Sequence, residues 1–246
     1  VKKGWDKFVR QLKLQRDVEL YKAITKQLSG FGVTEEISKN VLRNFKKDFN
    51  EWGDSELIIL ARELRKVTKP MLIAANKIDV AGAEKNLKRI IENFPHYKII
   101  ACSAIAELAL REANKEEKIK YIPGDNKVEV LKNLDEKNKK LVDFVNKELF
   151  SKYDSTGIQE VLNTVVFDLL KYIAVYHGGV NNLVDSDGNV LPDCFLLKDK
   201  STALDFAFRL HTDFGKNFIK AIDVKTRRTI GKDHKLKNKD IIEIIC

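Results

Sequence analysis

The chain has 246 residues, with 45 Lys plus Arg against 36 Asp plus Glu for a formal net charge of +9, and 43% of its residues are hydrophobic. That apolar content excludes wholesale disorder, and 12 Gly with only 4 Pro exclude a collagen-like or linker-dominated chain. Three widely spaced cysteines, Cys102, Cys194 and Cys246, build neither a disulfide framework nor a CxxC zinc site, which suits a reducing cytoplasm, and no apolar run reaches the roughly 18 residues of a membrane span.

Trp5, Phe8 and Leu12, then Val18, Tyr21, Ile24 and Leu28, recur at three- and four-residue spacing, the mark of one amphipathic helix or two in succession. Gly30-Phe31-Gly32 breaks the pattern. Thr34 is placed to cap a second helix, with Glu35 and Glu36 in its first turn and Ile37, Val41, Leu42 and Phe45 as its apolar stripe. Residues 1–50 therefore read as a helical hairpin, and they carry 12 basic against 6 acidic side chains. Because the chain opens on Val1 rather than Met, an N-terminal portion is expected to have been cut away or to lie outside the structure.

From Ser55 the pattern alternates between helix and strand. Ser55–Lys66 reads as a helix, and Pro70–Ala75 as a strand whose continuous apolar run suits parallel pairing with both faces covered. Glu84–Asn93 reads as a helix, Lys98–Ala101 as a second strand and Glu107–Ala113 as a third helix. Further helices are expected over Val128–Leu149 and Ile158–Leu170. Such alternation argues for βαβ units, whose ligands sit at the carboxyl ends of the strands. From Tyr172 onward short strands dominate. Asp185–Asn189 reads as a turn, Cys194–Leu197 as a strand, Thr202–His211 as a helix, and Phe218–Val224 and Ile241–Cys246 as strands, which suggests a small ubiquitin-like β-grasp module. Lys225 to Lys239 carries seven basic residues (Lys225, Arg227, Arg228, Lys232, Lys235, Lys237, Lys239) and one acidic residue, a net of +6. Two basic clusters on one chain favour a polyanionic partner over two merely solvated faces.

The chemistry concentrates in Asn76-Lys77-Ile78-Asp79, directly after the apolar strand. In that place an aspartate accepts charge-assisted hydrogen bonds from the two N–H donors on one edge of guanine, which adenine lacks. The lysine stem covers the base face and the asparagine braces the loop. Cys102-Ser103-Ala104 follows the next strand, where a backbone N–H of Ser103 or Ala104 can meet the base carbonyl. His96, His177, His211 and His234 have no metal-ligand spacing, and Asp213-Phe214-Gly215 has no kinase lysine or catalytic loop to accompany it.

Lys69–Asp79, Ser103–Leu108, Tyr121–Gly124, Thr156–Gln159 and Gly188–Asp193 together resemble the YchF branch of the Obg-related P-loop GTPases in its archaeal form. The resemblance implies an α/β fold: part of a P-loop GTPase domain with a parallel sheet, a helical-hairpin insertion (residues 1–50), the C-terminal part of the G domain (51–171) and a β-grasp TGS domain (172–246). It makes Asn76, Lys77, Asp79, Ser103 and Ala104 the guanine-binding residues, and it implies GTP or GDP with magnesium as ligands, a ribosomal or RNA partner for the basic surface, a cytoplasmic location and no membrane. Asp79 stands where many relatives outside the archaea carry Glu, and Ile105 replaces the Lys common after Ser-Ala. No G-x-x-x-x-G-K-[ST] motif occurs, so the phosphate site and the magnesium ligands are expected outside this chain, which alone is expected to be inactive in hydrolysis.

Overall fold

Residues 1–71 and 72–246 form two compact units, which cover their apolar side chains in different ways. The computed structural model describes residues 7, 19–180, 183–184, 187–190 and 193–246, so the expectations on Trp5, Phe8, Leu12, Val18, Asp185 and Ser186 lie outside the described residues.

In the first unit, helices α1 (Leu20–Leu28), α2 (Glu35–Leu42) and α3 (Asp54–Thr68) share one core of Ile24, Val33, Val41, Trp52, Leu57, Leu60 and Leu64. Gly32, in the left-handed region at φ +78°, turns the chain after α1, and Thr34 Oγ1 caps α2 by accepting the Ile37 N–H at 3.3 Å. Phe45, expected on the stripe of α2, lies beyond its end and packs on Trp52 with ring centroids 4.5 Å apart. The stripe Leu57, Leu60, Leu64 makes α3 a third wall of this helical block.

The second unit begins with β1 (Leu72–Asn76), α4 (Ala83–Asn93), β2 (Lys98–Cys102) and α5 (Ala104–Lys115), and β1 pairs parallel with β2 from Leu72 opposite Lys98 to Asn76 opposite Cys102. β1 is not covered on both faces as its apolar run suggests. None of its five residues is fully buried and Ala74 is exposed, because β2 is its one strand neighbour among the described residues.

A second correction concerns Val128–Leu149, expected as one helix. Val128–Val130 is strand β4, antiparallel to β3 (Ile119–Tyr121), and the helix α6 spans Glu136–Phe144 before continuing as a π-helical turn, Val145–Phe150. Val128-Glu129-Val130 has the period of a strand, and Asp135, whose carboxylate accepts the Asn138 N–H at 2.8 Å, starts the helix. Helix α7 (Ile158–Asn163) likewise runs into a π-helical segment, Thr164–Leu169. Leu110, Val145 and Leu149, all at 0% exposure, centre the core here.

The C-terminal sheet contains β5 (Tyr172–His177), β6 (Cys194–Lys198), β7 (Lys220–Asp223), β8 (Arg228–Ile230) and β9 (Asp240–Ile245) in the order β6-β5-β9-β7-β8. Only β5 and β9 pair parallel. Helix α8 (Ala203–Leu210), started by a Thr202–Asp205 capping box, lays Phe206 into a core with Val175, Ala221 and Ile242. This is the β-grasp arrangement expected, with β5 and β8 as strands the sequence pattern did not delimit.

Candidate functional site at the ends of the parallel strands

In-register parallel pairing puts Asn76 beside Cys102, so the loops that leave β1 and β2 emerge at one sheet edge. Several bonds then fix them together. Asn76 Oδ1 accepts the Lys77 N–H at 2.8 Å and, across the gap, the Ala104 N–H at 3.1 Å. The buried Ile78 donates its N–H to Cys102 O at 3.2 Å. Lys77 takes the left-handed conformation at φ +68°, which turns the loop sharply, and its side chain is exposed. Asp79 is half-buried, and its Oδ1 is a buried oxygen with no hydrogen-bond partner among the described residues. An unpaired buried acceptor costs about 1–3 kcal/mol, so this carboxylate oxygen carries an unmet demand for a donor.

Ser103 is fully buried and caps α5, its Oγ accepting the Ala106 N–H at 3.3 Å while its own N–H donates to Thr156 O at 2.9 Å. The N–H groups of Ser103 and Ala104, both candidates for a base carbonyl, are thus engaged within the protein. Ile105, 65% exposed, stands free at the rim. A cleft of about 310 Å³ lined by Asn76, Lys77, Ile78, Val80, Ala83 and Asn86 opens beside the loop.

Beneath the loops lies a group that sequence reasoning missed. Glu107, 4% exposed, accepts from Arg111 Nε at 2.6 Å, from the Tyr121 hydroxyl at 2.8 Å and from Thr156 Oγ1 at 2.6 Å. Burial pushes its carboxyl up, but the three donors outweigh burial and hold it below the usual carboxylate range. Burial, and then its bond to Glu107, push the Tyr121 hydroxyl up to about 12. The signal was present as Ser103-Ala104-x-x-Glu107, Tyr121–Gly124 and Thr156–Gln159, but nothing in their spacing shows that they meet.

The basic residues Lys225, Arg227, Arg228, Lys232, Lys235 and Lys237 are all exposed, from the β7–β8 turn into the loop before β9. Lys225 Nζ donates to Lys239 O at 2.6 Å. Among the described residues no cluster of His, Cys, Asp or Glu is arranged to hold a metal ion, and no helix is long and apolar enough to cross a membrane.

A parallel strand pair with two loops joined at its carboxyl end, followed by a β-grasp sheet, is the arrangement in which the comparisons with known proteins fall. Residues 74–179 match the family described as Obg-like GTPase YGR210-like, G4 motif-containing domain, and residues 183–246 match the TGS domain. The chain thus carries the G4 motif-containing domain of the Obg-like GTPases followed by a TGS domain. It is 41% identical over 244 residues to an uncharacterized GTP-binding protein of Methanocaldococcus jannaschii, covering 99% of this chain and 61% of that protein. It is 30% identical over 190 residues to an uncharacterized GTP-binding protein of Schizosaccharomyces pombe, covering 72% of this chain and 46% of that one. The crystal structure of a GTP binding protein from Pyrococcus horikoshii superposes with a TM-score of 0.65 at 42% identity, covering 99% of this chain and 65% of that chain. The chain thus spans less than two thirds of the length of each of these relatives.

Proposed function

We propose that the edge formed by Asn76, Lys77, Asp79, Ser103 and Ala104 reads the guanine base of GTP and GDP. The observation that carries this reading is the buried Asp79 Oδ1, an acceptor with no hydrogen-bond partner among the described residues. Guanine supplies a donor pair to such a carboxylate and adenine does not. Asn76 fixes the distance between the two loops, and the exposed Lys77 stem and Ile105 flank the base. Ala104 N–H, which donates to Asn76 Oδ1 here, is the donor we assign to the base carbonyl once nucleotide is bound.

Phosphate binding, magnesium and hydrolysis need a P-loop that this sequence does not contain, and phosphoryl transfer depends on positioning and charge stabilisation by those parts. This chain alone therefore binds nucleotide weakly and turns none over, whereas the encoded protein is read as a cytoplasmic, translation-associated GTPase. In the encoded protein, GDP is expected to bind at least about tenfold more tightly than ADP, the equivalent of one unsatisfied buried polar group, and Asp79→Ala to abolish the difference. Equal affinities for the two bases, or no change in Asp79→Ala, would falsify the reading.

The exposed basic run supports a second reading, in which the helical and TGS blocks act as a non-catalytic module on ribosomal RNA. Phosphate contacts release counterions, so affinity falls steeply with salt. Ribosome co-sedimentation across a salt series is expected to show binding that weakens with salt and is reduced in an Arg227→Glu, Arg228→Glu, Lys235→Glu variant. Equal pelleting of both proteins removes the basic segment as the contact.

A further inference from the structure

Three stretches converge under the base-reading edge without forming part of it. Gly124 donates its N–H to the Tyr121 hydroxyl at 3.4 Å, and an added Cβ at Gly124 would lie 3.0 Å from the Gln159 side chain, so the Tyr121–Gly124 turn packs directly on the start of α7. Gly157, at φ +79°, approaches β2 so closely that a Cβ there would collide with Ala101 O. Thr156 lies between these contacts, its carbonyl on the Ser103 N–H and its hydroxyl on Glu107. Each contact alone is ordinary packing. Together they make a chain of bonds from a buried carboxylate to the backbone of the loop that must hold the base carbonyl.

We infer that Glu107 is a positioning residue for nucleotide recognition: it gathers Thr156, Tyr121 and Arg111 so that the 154–157 turn holds Ser103-Ala104 at the spacing the base requires. This inference rests on the base-reading proposal for Asn76–Asp79 and Ser103-Ala104. Glu107 touches no ligand itself. Its two oxygens divide the task, Oε1 taking Arg111 at the solvent side and Oε2 taking Tyr121 and Thr156 at the buried side. A preorganised loop binds without first being ordered, so loss of the anchor appears as lost affinity and lost base discrimination together.

The test compares Glu107→Ala, Glu107→Gln and Thr156→Val in the encoded protein with Leu110→Ala, a core truncation on the same helix that spares the network. GDP and ADP affinities are measured, together with hydrogen exchange at the Ser103 amide without nucleotide. Glu107→Ala is expected to weaken GDP about tenfold or more, to narrow the preference for GDP over ADP, and to speed Ser103 exchange by a similar factor. Leu110→Ala leaves both readouts within about threefold of the parent once its lowered stability is matched by temperature, because it removes none of the donors to Glu107. Glu107→Gln keeps an acceptor for Thr156 and Tyr121, and is expected to restore most of the affinity. If Glu107→Ala does not fold, Thr156→Val weakening GDP more than Glu107→Gln carries the inference. The opposite order overturns it. Ser103 exchange that rises no further than in Leu110→Ala overturns it as well. Should the parent show no base preference, the base-reading proposal fails by itself, and Ser103 exchange still decides whether Glu107 holds the loop.

Discussion

The strands at the centre of the C-terminal sheet and β1 of the parallel pair are of similar length, yet they are covered to very different degrees. Val175, Phe206 and Ala221 have no exposed surface, and α8 closes over its sheet. In β1, by contrast, no residue is fully buried, and Ile91 of α4 and Phe94 just beyond its end are each 47% exposed. The difference separates stability from chemistry. The β-grasp block concentrates its apolar side chains into its own core, whereas the edge proposed to read the base depends on a few hydrogen bonds between loops, as binding elements of low local stability commonly do.

Truncation on the two sides gives the largest contrast. Phe206→Ala is expected to cost about 3–5 kcal/mol, because it removes a wholly enclosed ring and leaves a cavity. Ile73→Ala in half-exposed β1 is expected to cost about 1 kcal/mol, since little surface changes its surroundings. Urea midpoints at constant slope measure both, and equal losses would show that β1 is as well covered as the C-terminal core.

Glycine substitutions sharpen the same comparison at the site itself. Gly157 and Gly82 both have positive φ, but space around Gly82 is open while a Cβ at Gly157 would strike Ala101 O. Gly82→Ala is expected to cost about 1–2 kcal/mol of left-handed strain alone. Gly157→Ala adds a clash with backbone that must move, for a total of about 3 kcal/mol, within the range of large point-mutant effects. Thermal unfolding read alongside Ser103 amide exchange separates them, because only Gly157→Ala pushes on β2 and the base loop.

Much of this was legible beforehand where one local rule dominates. Thr34 announced its helix as a cap, and Asn76-Lys77-Ile78-Asp79 after an apolar run located the loop now found at the strand end. Local rules failed where they competed. Leu131 and Leu134 extended a helical period backward over Val128–Val130, whose pairing with Ile119–Tyr121 is settled by a partner seven or more residues away. The apolar run of β1 indicates what a strand prefers as neighbours, and the burial it receives depends on which neighbours are present. Glu107 was invisible for another reason. A glutamate in a helix ordinarily reads as solvated, and only the tertiary meeting of Arg111, Tyr121 and Thr156 makes it a buried charge.

That network sets the smallest predicted effect, which appears in alkali. In the folded protein the Tyr121 hydroxyl is pushed up to about 12, first by burial and then by its bond to Glu107, from an ordinary value of 10.0. The unfolded chain therefore releases this proton at lower pH than the folded one does. The stability it contributes is whole below pH 10, and it drains away as pH rises from 10.0 to about 12. Allowing for the screening that water at the nearby surface provides, the loss is about 1–2 kcal/mol. Tyr121→Phe starts less stable at neutral pH, because Glu107 loses a donor, but its stability is expected to stay flatter across that alkaline window. Urea unfolding of both proteins at a series of alkaline pH values, with tyrosinate absorbance recorded in parallel, makes the measurement. Parallel losses in the two proteins would mean that Tyr121 ionises like an exposed tyrosine. The edge proposed to read the base would then lack the buried anchor that distinguishes its underside from its solvent-exposed rim.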